Sequence, residues 1–330
     1  MRVAFDSRPV SDPRGIGRYT RCLLDALRAT AGDNELVESN SPRRAQVFHS
    51  PWIDGVRVRS PCPQVVTLHD LIPLKRRSEY LRTGVRFRLR YMAVERAAKI
   101  IVPTEAVAQD ALERLDVSRE RIAVIPEAAA PTMRVRSAGA VAAVRARYGL
   151  PDEYLVWVGG LEHPDPRKRI AALAEAPRDM PLVLVGPTKP WAHELPDVTL
   201  TGHVSDDDLS AIYSGARALV LASDDEGFGL PTVEALACGT PVVACDAPAL
   251  REVLDARATF VAPGDLRALV AAAEAAQRPA PAPPPWSWQD AARATWRVYA
   301  RALAQIDRPR TIGRRGRRGT ASAAERALSG

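Results

Sequence analysis

The sequence is poor in cysteine and has no long apolar run. Its four cysteines, Cys22, Cys62, Cys238 and Cys245, form no C-x-x-C pair, so their spacing predicts neither a disulfide framework nor a zinc site. No apolar stretch approaches the roughly 18 residues that suggest a membrane span. The opening residues, MRVAFDSRPV, read as a strand and lack the apolar core of a signal peptide. Together these absences predict a protein of the reducing cytosol.

Aromatic residues are also few, at 5% of the sequence, so the core must consist mainly of Ala, Val and Leu. Apolar residues at 46% and charged residues at 26% are close to ordinary globular usage. This composition excludes a wholly disordered, collagenous or membrane-embedded chain. At about 150 residues per domain, the length of 330 residues allows two domains.

The charge is unevenly distributed along the chain. Residues 1–150 hold 26 basic and 16 acidic side chains, whereas residues 151–306 hold 13 basic and 21 acidic ones. A basic half joined to an acidic half predicts two units that face different partners. An anionic substrate or a lipid surface would suit the basic half.

Short apolar runs alternate with helical patterns almost throughout, which predicts βαβ units and two parallel α/β sheets. The predicted strands are 2–7, 35–39, 46–50, 64–69, 99–102 and 121–125, followed by 154–158, 182–185, 198–201, 218–222, 242–245 and 259–261. The predicted helices are 17–29, 75–98, 105–115, 206–214, 231–237, 266–276 and 286–304. The strand pattern stops between Pro126 and Pro151, which indicates a linker containing a helix.

These breaks predict two Rossmann-like domains in tandem, 1–148 and 149–285, then a terminal helix at 286–306 and a disordered basic tail at 307–330. The space between 29 and 46 holds a strand but no helix, so the first domain is predicted to be trimmed. Ligands of such sheets bind at the carboxyl ends of the strands. Any chemistry is therefore expected in loops that follow strands.

The strongest signal is the run 223–241, SDDEGFGLPTVEALACGTP, in which a strand ends in a Gly-rich loop and a helix begins near Pro231. The backbone N–H groups of Gly227, Phe228, Gly229 and Leu230 would then face an anion at a helix N-terminus. Glu226 in the loop and Glu234 in the helix are placed to accept hydrogen bonds from a sugar and a ribose. Taken singly, each glutamate is better explained as a helix cap or a surface charge, and the functional interpretation depends on the whole run.

This run resembles the E-x7-E signature of the family 4 retaining glycosyltransferases, which have the GT-B fold. Further segments occur in the order of that family and cover about residues 1–304: RGIGRY at 14–19, VTLHDL at 66–71, VPTE at 102–105, RIAVIP at 121–126 and VGGLEHPDPRKR at 158–169. The H-D-L segment is typical of a branch that includes bacterial mannosyltransferases. The resemblance implies two Rossmann-like domains facing across a cleft, with the terminal helix crossing back to the first domain.

The resemblance also implies how a diphosphate leaving group is held. Positioned cations and N–H dipoles stabilise its growing charge best, and the candidates are Arg167 and Lys168 together with the N–H groups of Gly15, Ile16 and Gly17. Many members place an arginine after the glycine that ends the first strand of the second domain. Here Leu161 follows Gly159 and Gly160, so that role is assigned to Arg167. The alternative is that Arg167, Lys168 and Arg169 form a solvated cluster.

By the same resemblance, His69 faces the transferred sugar, where it would hydrogen-bond a hydroxyl group or stabilise charge near the anomeric centre. Asp70 would orient the imidazole or cap the next turn. Gly186 and Val204 follow strands of the second domain and are expected to line the nucleotide base. No nucleophile or inverting base stands out, which fits a same-face retaining reaction in which the leaving phosphate helps to deprotonate the acceptor.

Two other patterns are judged to be coincidental. The D-x-D within 206–208 follows Ser205 and opens a helix, where acidic side chains favour the positive end of the helix dipole, so no metal site is predicted. The pattern G-x-G-x-x-T at 15–20 lacks the third glycine of a dinucleotide fingerprint, and seven residues separate it from the preceding strand. No cofactor is therefore predicted beyond the nucleotide diphosphate sugar as donor substrate.

Residues 75–99, from Lys75 to Lys99, contain nine basic and two acidic residues. Their basic side is interpreted either as a contact with an anionic membrane or as a solvated face. The first reading makes the protein cytoplasmic and peripheral at the inner face of the membrane. Nucleic acid is not an expected partner.

The sequence thus predicts a metal-independent, retaining glycosyltransferase that moves a hexose, with mannose as one candidate, to a hydroxyl group of a glycan, lipid-linked or small-molecule acceptor. The alternatives are a GT-B sugar-nucleotide epimerase or phosphorylase, and an inactive GT-B scaffold or binding protein.

Overall fold

The first sheet occupies the N-terminal part of the chain in a computed structural model that describes residues 1–76 and 84–305. Its strands are all parallel and lie in the order β2-β1-β3-β4-β5-β6. Their bounds are β1 Arg2–Phe5, β2 Glu35–Glu38, β3 Val47–Ser50, β4 Gln64–Thr67, β5 Lys99–Val102 and β6 Ile122–Val124. Three of them, β3, β4 and β5, are buried along their whole length, which is why they read as apolar runs.

The second sheet is also parallel, in the order β12-β11-β10-β7-β8-β9. Its strands are β7 Leu155–Val158, β8 Leu182–Val185, β9 Val198–Gly202, β10 Ala218–Leu221, β11 Val242–Cys245 and β12 Thr259–Val261. This order is that of a complete doubly wound domain, whereas the first sheet lacks the strand that would lie outside β2. The lack follows from the short connection between β2 and β3, which has no helix to carry the chain back across the sheet. The predicted trimming is confirmed.

Helices connect the strands. They are α1 Gly15–Ala29, α2 Ile72–Lys75, α3 Gly84–Glu95, α4 Glu105–Arg114, α5 Ala138–Tyr148, α6 Ile170–Glu175, α7 Asp206–Gly215, α8 Leu230–Ala237, α9 Pro248–Leu254, α10 Leu266–Glu274 and α11 Trp288–Ala304. Several begin where a side-chain oxygen accepts a hydrogen bond from a free N–H of the first turn. Thr104, Ser137 and Ser205 cap α4, α5 and α7 in this way. The sequence patterns did not predict the short helices α6 and α9.

The single helix predicted over 75–98 is wrong. Helix α2 ends at Lys75, and Arg76 has φ −114° and ψ 51°, outside the helical region. Residues 77–83 lie outside the described part of the chain, and α3 begins at Gly84, whose φ is +49°. In the described ranges, no helix is long and apolar enough to cross a membrane.

The terminal helix α11 returns to the first sheet, as the resemblance implied. It packs along α1 and contacts β3, β4 and β5. The Trp288 indole donates to the carbonyl of Ala129 at 3.1 Å, and the Tyr299 hydroxyl lies 2.6 Å from Nδ1 of His49. The predicted tail, 307–330, lies outside the described residues.

The basic and acidic halves meet in part across the cleft rather than facing only different partners. Arg18 on α1 lies 2.8 Å from Asp206 on α7, and Lys75 lies 2.7 Å from Asp225. Arg76 pairs with Asp224. Two of the basic residues of the 75–99 segment are therefore neutralised by the second domain. This corrects the prediction that the basic and the acidic half face only different partners.

Candidate active site

A large cavity of about 510 Å³ lies at the cleft, between the carboxyl edges of the two sheets. In the second sheet it sits where the strand order reverses, between β7 and β10, the position at which open parallel sheets bind ligands. All four residues predicted to be catalytic line it: His69, Arg167, Lys168 and Glu226. Gly15, Ile16 and the residues from Gly227 to Leu230 also line it. The fold thus brings together residues that are up to about 200 positions apart in the chain.

The loop after β10 turns sharply into α8 because of its glycines. Gly229 precedes the helix with φ +84°, and a Cβ on it would lie 2.5 Å from Leu250. A Cβ on Gly227 would lie 1.9 Å from the carbonyl oxygen of His69, so the two domains touch at this point. The free N–H groups at the start of α8 consequently border the cavity, where they favour an anion.

Arg167 is held by acceptors on two sides. Its Nε donates to Asp165 at 2.9 Å, and its Nη1 donates to Glu226 at 3.0 Å and to the carbonyl of Asp225 at 3.2 Å. Burial lowers the pKa of the guanidinium, but Glu226, Asp70 and Asp165 outweigh it and raise that pKa overall. Arg167 is thus a fixed cation, and Glu226 is its partner rather than a free surface charge.

The charge of Lys168 depends more on pH than that of Arg167. Its Nζ lies 3.4 Å from the carbonyl of Gly160 and 5.5 Å from the centre of the Trp157 ring. Burial, and then the charge of Arg167, lower the pKa of its ammonium. Arg169, one residue on, does not line the cavity; it has φ +52° and pairs with Asp224 at 2.9 Å. The three basic residues therefore do not form one solvated cluster.

His69 has an acceptor at each ring nitrogen. Nδ1 lies 3.1 Å from Oε1 of Glu127, and Nε2 lies 2.9 Å from the carbonyl oxygen of Pro51. Burial opposes protonation, but the hydrogen bond and charge of Glu127 raise the pKa of the imidazole. Asp70 accepts from the N–H of Ile72 at 3.1 Å and so caps the next turn. Two roles were predicted for His69, a hydrogen bond to a sugar hydroxyl group and stabilisation of charge. Because both ring nitrogens already face acceptors of the protein, this geometry leaves open only the stabilisation of charge.

The N-terminus of α1 contributes only part of what was predicted. Gly15 and Ile16, the first residues of the helix, line the large cavity. Gly17 lines neither cavity at the cleft, and its N–H donates to the carbonyl of Arg14 at 3.0 Å. A Cβ there would lie 1.9 Å from the carbonyl oxygen of Asp12. The structure therefore explains Gly17 by close packing and does not place it among the donor-binding residues.

A smaller cavity of about 80 Å³ adjoins the first and is lined by Gly186, Val204 and Glu234. Arg18 reaches into it from the first domain, with its Nε 3.1 Å from Oε1 of Glu234. Glu234 is 2% exposed. Burial raises the pKa of its carboxyl to about 7, although the charge of Arg18 opposes the shift.

The acidic run at 206–208 has structural partners. Asp206 pairs with Arg18 at 2.8 Å and Asp207 with Arg136 at 2.5 Å, while Asp208 accepts from Tyr148 at 2.8 Å. Over residues 1–76 and 84–305, no group of three or more His, Cys, Asp or Glu side chains is arranged to hold a metal ion.

Glu127, which the sequence patterns did not single out, borders the cleft together with Arg14 and Arg18, the two arginines beside the glycine loop of the first domain. Arg14 and Arg18 line the small cavity, and Arg14 also lines the large one. Glu127 follows β6 closely, and a carboxylate just beyond a strand end was the available signal. Its relation to His69 is visible only once β4 and β6 are known to belong to one sheet.

The contact at Gly227 gives a stability prediction. Gly227→Ala would place a methyl group against backbone, so we expect a loss of about 1–3 kcal/mol in the free energy of unfolding and a distorted cavity. Urea denaturation monitored by circular dichroism measures this loss. Gly139→Ala is the matched control, because a Cβ there meets nothing within 4 Å. Equal stabilities of the two variants would contradict the close approach of the domains.

Two family models match the chain, one on each domain. Residues 44–129 match the model described as Glycosyltransferase Family 4, and residues 152–277 match the one described as Glycosyl transferases group 1.

Curated relatives include the serotype-specific mannosyltransferase WbdA of Escherichia coli, which is 30% identical over 233 residues. That match covers 63% of this chain and 28% of WbdA, so the chain spans little more than a quarter of that relative's length. The O-antigen chain mannosyltransferase B of Escherichia coli is 25% identical over 348 residues, covering 82% of this chain and 89% of the relative.

Among solved structures, Anabaena HepE in complex with UDP and glucose superposes with a TM-score of 0.62 at 17% identity. The match covers 93% of this chain and 98% of HepE. At this identity the likeness concerns the fold alone, and it supports two α/β domains facing across a cleft.

Proposed function

Since the chain belongs to family 4 of the glycosyltransferases and has their GT-B fold, we propose that it transfers a hexose from a nucleotide diphosphate sugar to a hydroxyl group of an acceptor. The observation that carries the proposal is the shared cavity. It combines two cations, Arg167 and Lys168, with the N-termini of α1 and α8 and with the carboxylate Glu226. Cations and helix N-termini suit a diphosphate, and carboxylates suit sugar hydroxyl groups.

In the proposed reaction, the bond between the anomeric carbon and the diphosphate breaks as the acceptor oxygen attaches on the same face, and the leaving diphosphate takes up the proton of the acceptor hydroxyl. Lys168 and the N–H groups of α8 face the charge that develops on the leaving diphosphate. Arg167 links this region to Glu226, which would hold hydroxyl groups of the transferred sugar. The small cavity, with Glu234, would hold the ribose, and Gly186 and Val204 would border the base.

Mannose is the first sugar to test, because the two curated relatives described above are named as mannosyltransferases. The proposed acceptor is a hydroxyl group of a glycan or of a lipid-linked sugar. No metal is assigned a role, since the cations of the cavity can neutralise the leaving group.

The test is release of nucleoside diphosphate from GDP-mannose, UDP-glucose, ADP-glucose and dTDP-glucose, with and without a panel of mannosides, in buffer containing excess EDTA. We expect one donor to be consumed with acceptor-dependent product and no effect of EDTA. The anomeric proton of the product, observed by NMR, should show that the anomeric configuration of the donor is retained.

Loss of activity in EDTA that Mg²⁺ or Mn²⁺ restores would overturn the metal-independent reaction. Consumption of a donor that yields only an epimeric sugar nucleotide would replace transfer by epimerisation. Binding of nucleotide without turnover on any acceptor or water would indicate an inactive scaffold.

A further inference from the structure

Glu127 is a buried carboxylate at the wall of the large cavity that the proposed reaction does not use. It is 3% exposed and lies just beyond β6, at the start of the segment that leads to the second domain. Its Oε1 lies 3.1 Å from Nδ1 of His69. A buried carboxylate is costly unless it is paired, so this contact accounts for its presence there.

The two ring nitrogens of His69 face groups of the same kind. The carbonyl oxygen of Pro51, 2.9 Å from Nε2, can only accept a hydrogen bond, and so can an ionised carboxylate at Nδ1. A neutral imidazole carries one N–H and would leave one of these contacts without a proton. Both contacts are satisfied at once when the ring is an imidazolium.

The surroundings of the ring are consistent with a retained charge. Asp70, the next residue, adds negative charge, and the ring of Tyr19 meets the imidazole edge-to-face with centroids 4.5 Å apart. On β3, burial and then the charge of His69 lower the pKa of His49 to about 3, so His49 is neutral beside it. Burial raises the pKa of the Asp70 carboxyl; across the cavity, Arg167 lowers that pKa and Glu226 raises it.

Given the glycosyl transfer proposed above, we propose that Glu127 is a positioning residue that keeps His69 doubly protonated, so that the cavity holds a fixed imidazolium beside the bound donor. Both ring nitrogens are then engaged with the protein. His69 consequently does not serve as a general base, and its role is to oppose the negative charge of the leaving diphosphate. Glu127 acts through His69 and need not touch the substrate.

The test is nitrogen NMR of the full chain labelled in its five histidines. The signal that disappears in His69→Gln identifies His69. In the unmodified chain we expect both its ring nitrogens to stay protonated above about pH 6.5, the ordinary pKa of an imidazole. In Glu127→Gln, where burial is no longer opposed by the carboxylate, His69 should lose its proton below that pH.

Glu113→Gln is the matched control, because Glu113 is exposed on α4 and lines neither cavity. It should leave the His69 titration unchanged. Glu127→Asp keeps the carboxylate, so the pH at which His69 loses its proton should return part of the way to that of the unmodified chain. This variant keeps the test decisive if Glu127→Gln fails to fold. An unchanged His69 titration in folded Glu127→Gln, or a His69 that is singly protonated in the unmodified chain, would overturn the proposal.

Activity supplies the second readout. At a pH above the pKa of His69, each unit by which that pKa falls lowers the fraction of His69 present as imidazolium about tenfold. The kcat of Glu127→Gln should therefore fall at pH 8 and recover as the pH is lowered, with little change in KM for the donor. A uniform loss at every pH would indicate a merely structural role. A chain inactive on every donor would overturn the proposed function, while the NMR titration, which needs no substrate, would still decide the role of Glu127.

Discussion

Lys168→Ala is expected to lower kcat by roughly 10²–10³, which corresponds to about 2.7–4 kcal/mol. A leaving diphosphate gains charge in the transition state, so a cation aimed at it stabilises that state more than the bound donor. The Nζ of Lys168 borders the cavity between Gly160 and the ring of Trp157. Because the residue lies in a short 3-10 turn at the cavity rather than in a strand or in the core, its loss should change the melting temperature little. Steady-state kinetics with the donor that the release assay selects measures the effect.

The lowered pKa of Lys168 adds a pH dependence with a definite sign. The Lys168 amine stabilises the leaving group only while it is protonated. As the pH rises, kcat should therefore begin to fall at a lower pH than it would if the pKa of Lys168 were that of an ordinary lysine. Lys168→Arg should restore the activity of Lys168→Ala only in part, because the planar guanidinium is larger than the ammonium. It should also remove the alkaline fall, since arginine does not deprotonate in proteins.

Lys189→Ala is the matched control for Lys168→Ala. Lys189 is exposed and lines neither cavity, so its loss should leave kcat unchanged. A Lys168→Ala enzyme with the kcat of the unmodified enzyme would mean that the diphosphate is held elsewhere. The remaining cations of the cleft are then the candidates, with Arg14 the first to test.

The sequence predicted the strands well because each of them is short and apolar and is bounded by turn residues. It also placed the loop at 226–230 beside a helix N-terminus, since the glycines and Pro231 indicate that turn on their own. The break at Arg76 was not predicted, because basic and apolar residues run on through it without a glycine or proline until Gly84. Local propensity alone cannot mark such an end.

The composition of the site depended on tertiary contacts that no local pattern indicates. Arg167 and Glu226 are 59 residues apart and form one ion pair. Gly17 was assigned to the donor because it lies in a glycine loop, yet the structure shows that its N–H is already paired. Arg18 pairs with Glu234 and Asp206 across the cleft, so the charge asymmetry of the two halves serves their contact with each other as well as any partner.

Glu234→Ala is expected to weaken binding of the free nucleoside diphosphate roughly 10–100-fold, because hydrogen bonds to a charged group contribute about 1.5–3 kcal/mol. The donor ribose would replace Arg18 as the partner of this carboxylate. The small cavity, about 80 Å³ in volume, is well below the roughly 300–1,000 Å³ of typical ligand pockets. Arg18 must therefore move when a nucleoside enters. Isothermal titration calorimetry measures the affinity, and Glu194→Ala, an exposed carboxylate outside both cavities, is the control.

The pKa of about 7 for Glu234 makes a second variant, Glu234→Gln, informative about stability. A carboxyl group whose pKa is higher in the folded than in the unfolded chain destabilises the fold when it ionises, so its contribution to stability falls as the pH rises from its unfolded pKa toward 7. Glu234→Gln removes that ionisation and should leave the melting temperature at neutral pH unchanged or raised, while nucleotide binding weakens.

If the nucleotide binds the carboxylate, binding near pH 7 should release protons, seen as a dependence of the binding enthalpy on the buffer. The release should vanish in Glu234→Gln. An unaltered affinity in Glu234→Ala, with proton release intact, would exclude Glu234 from the donor site.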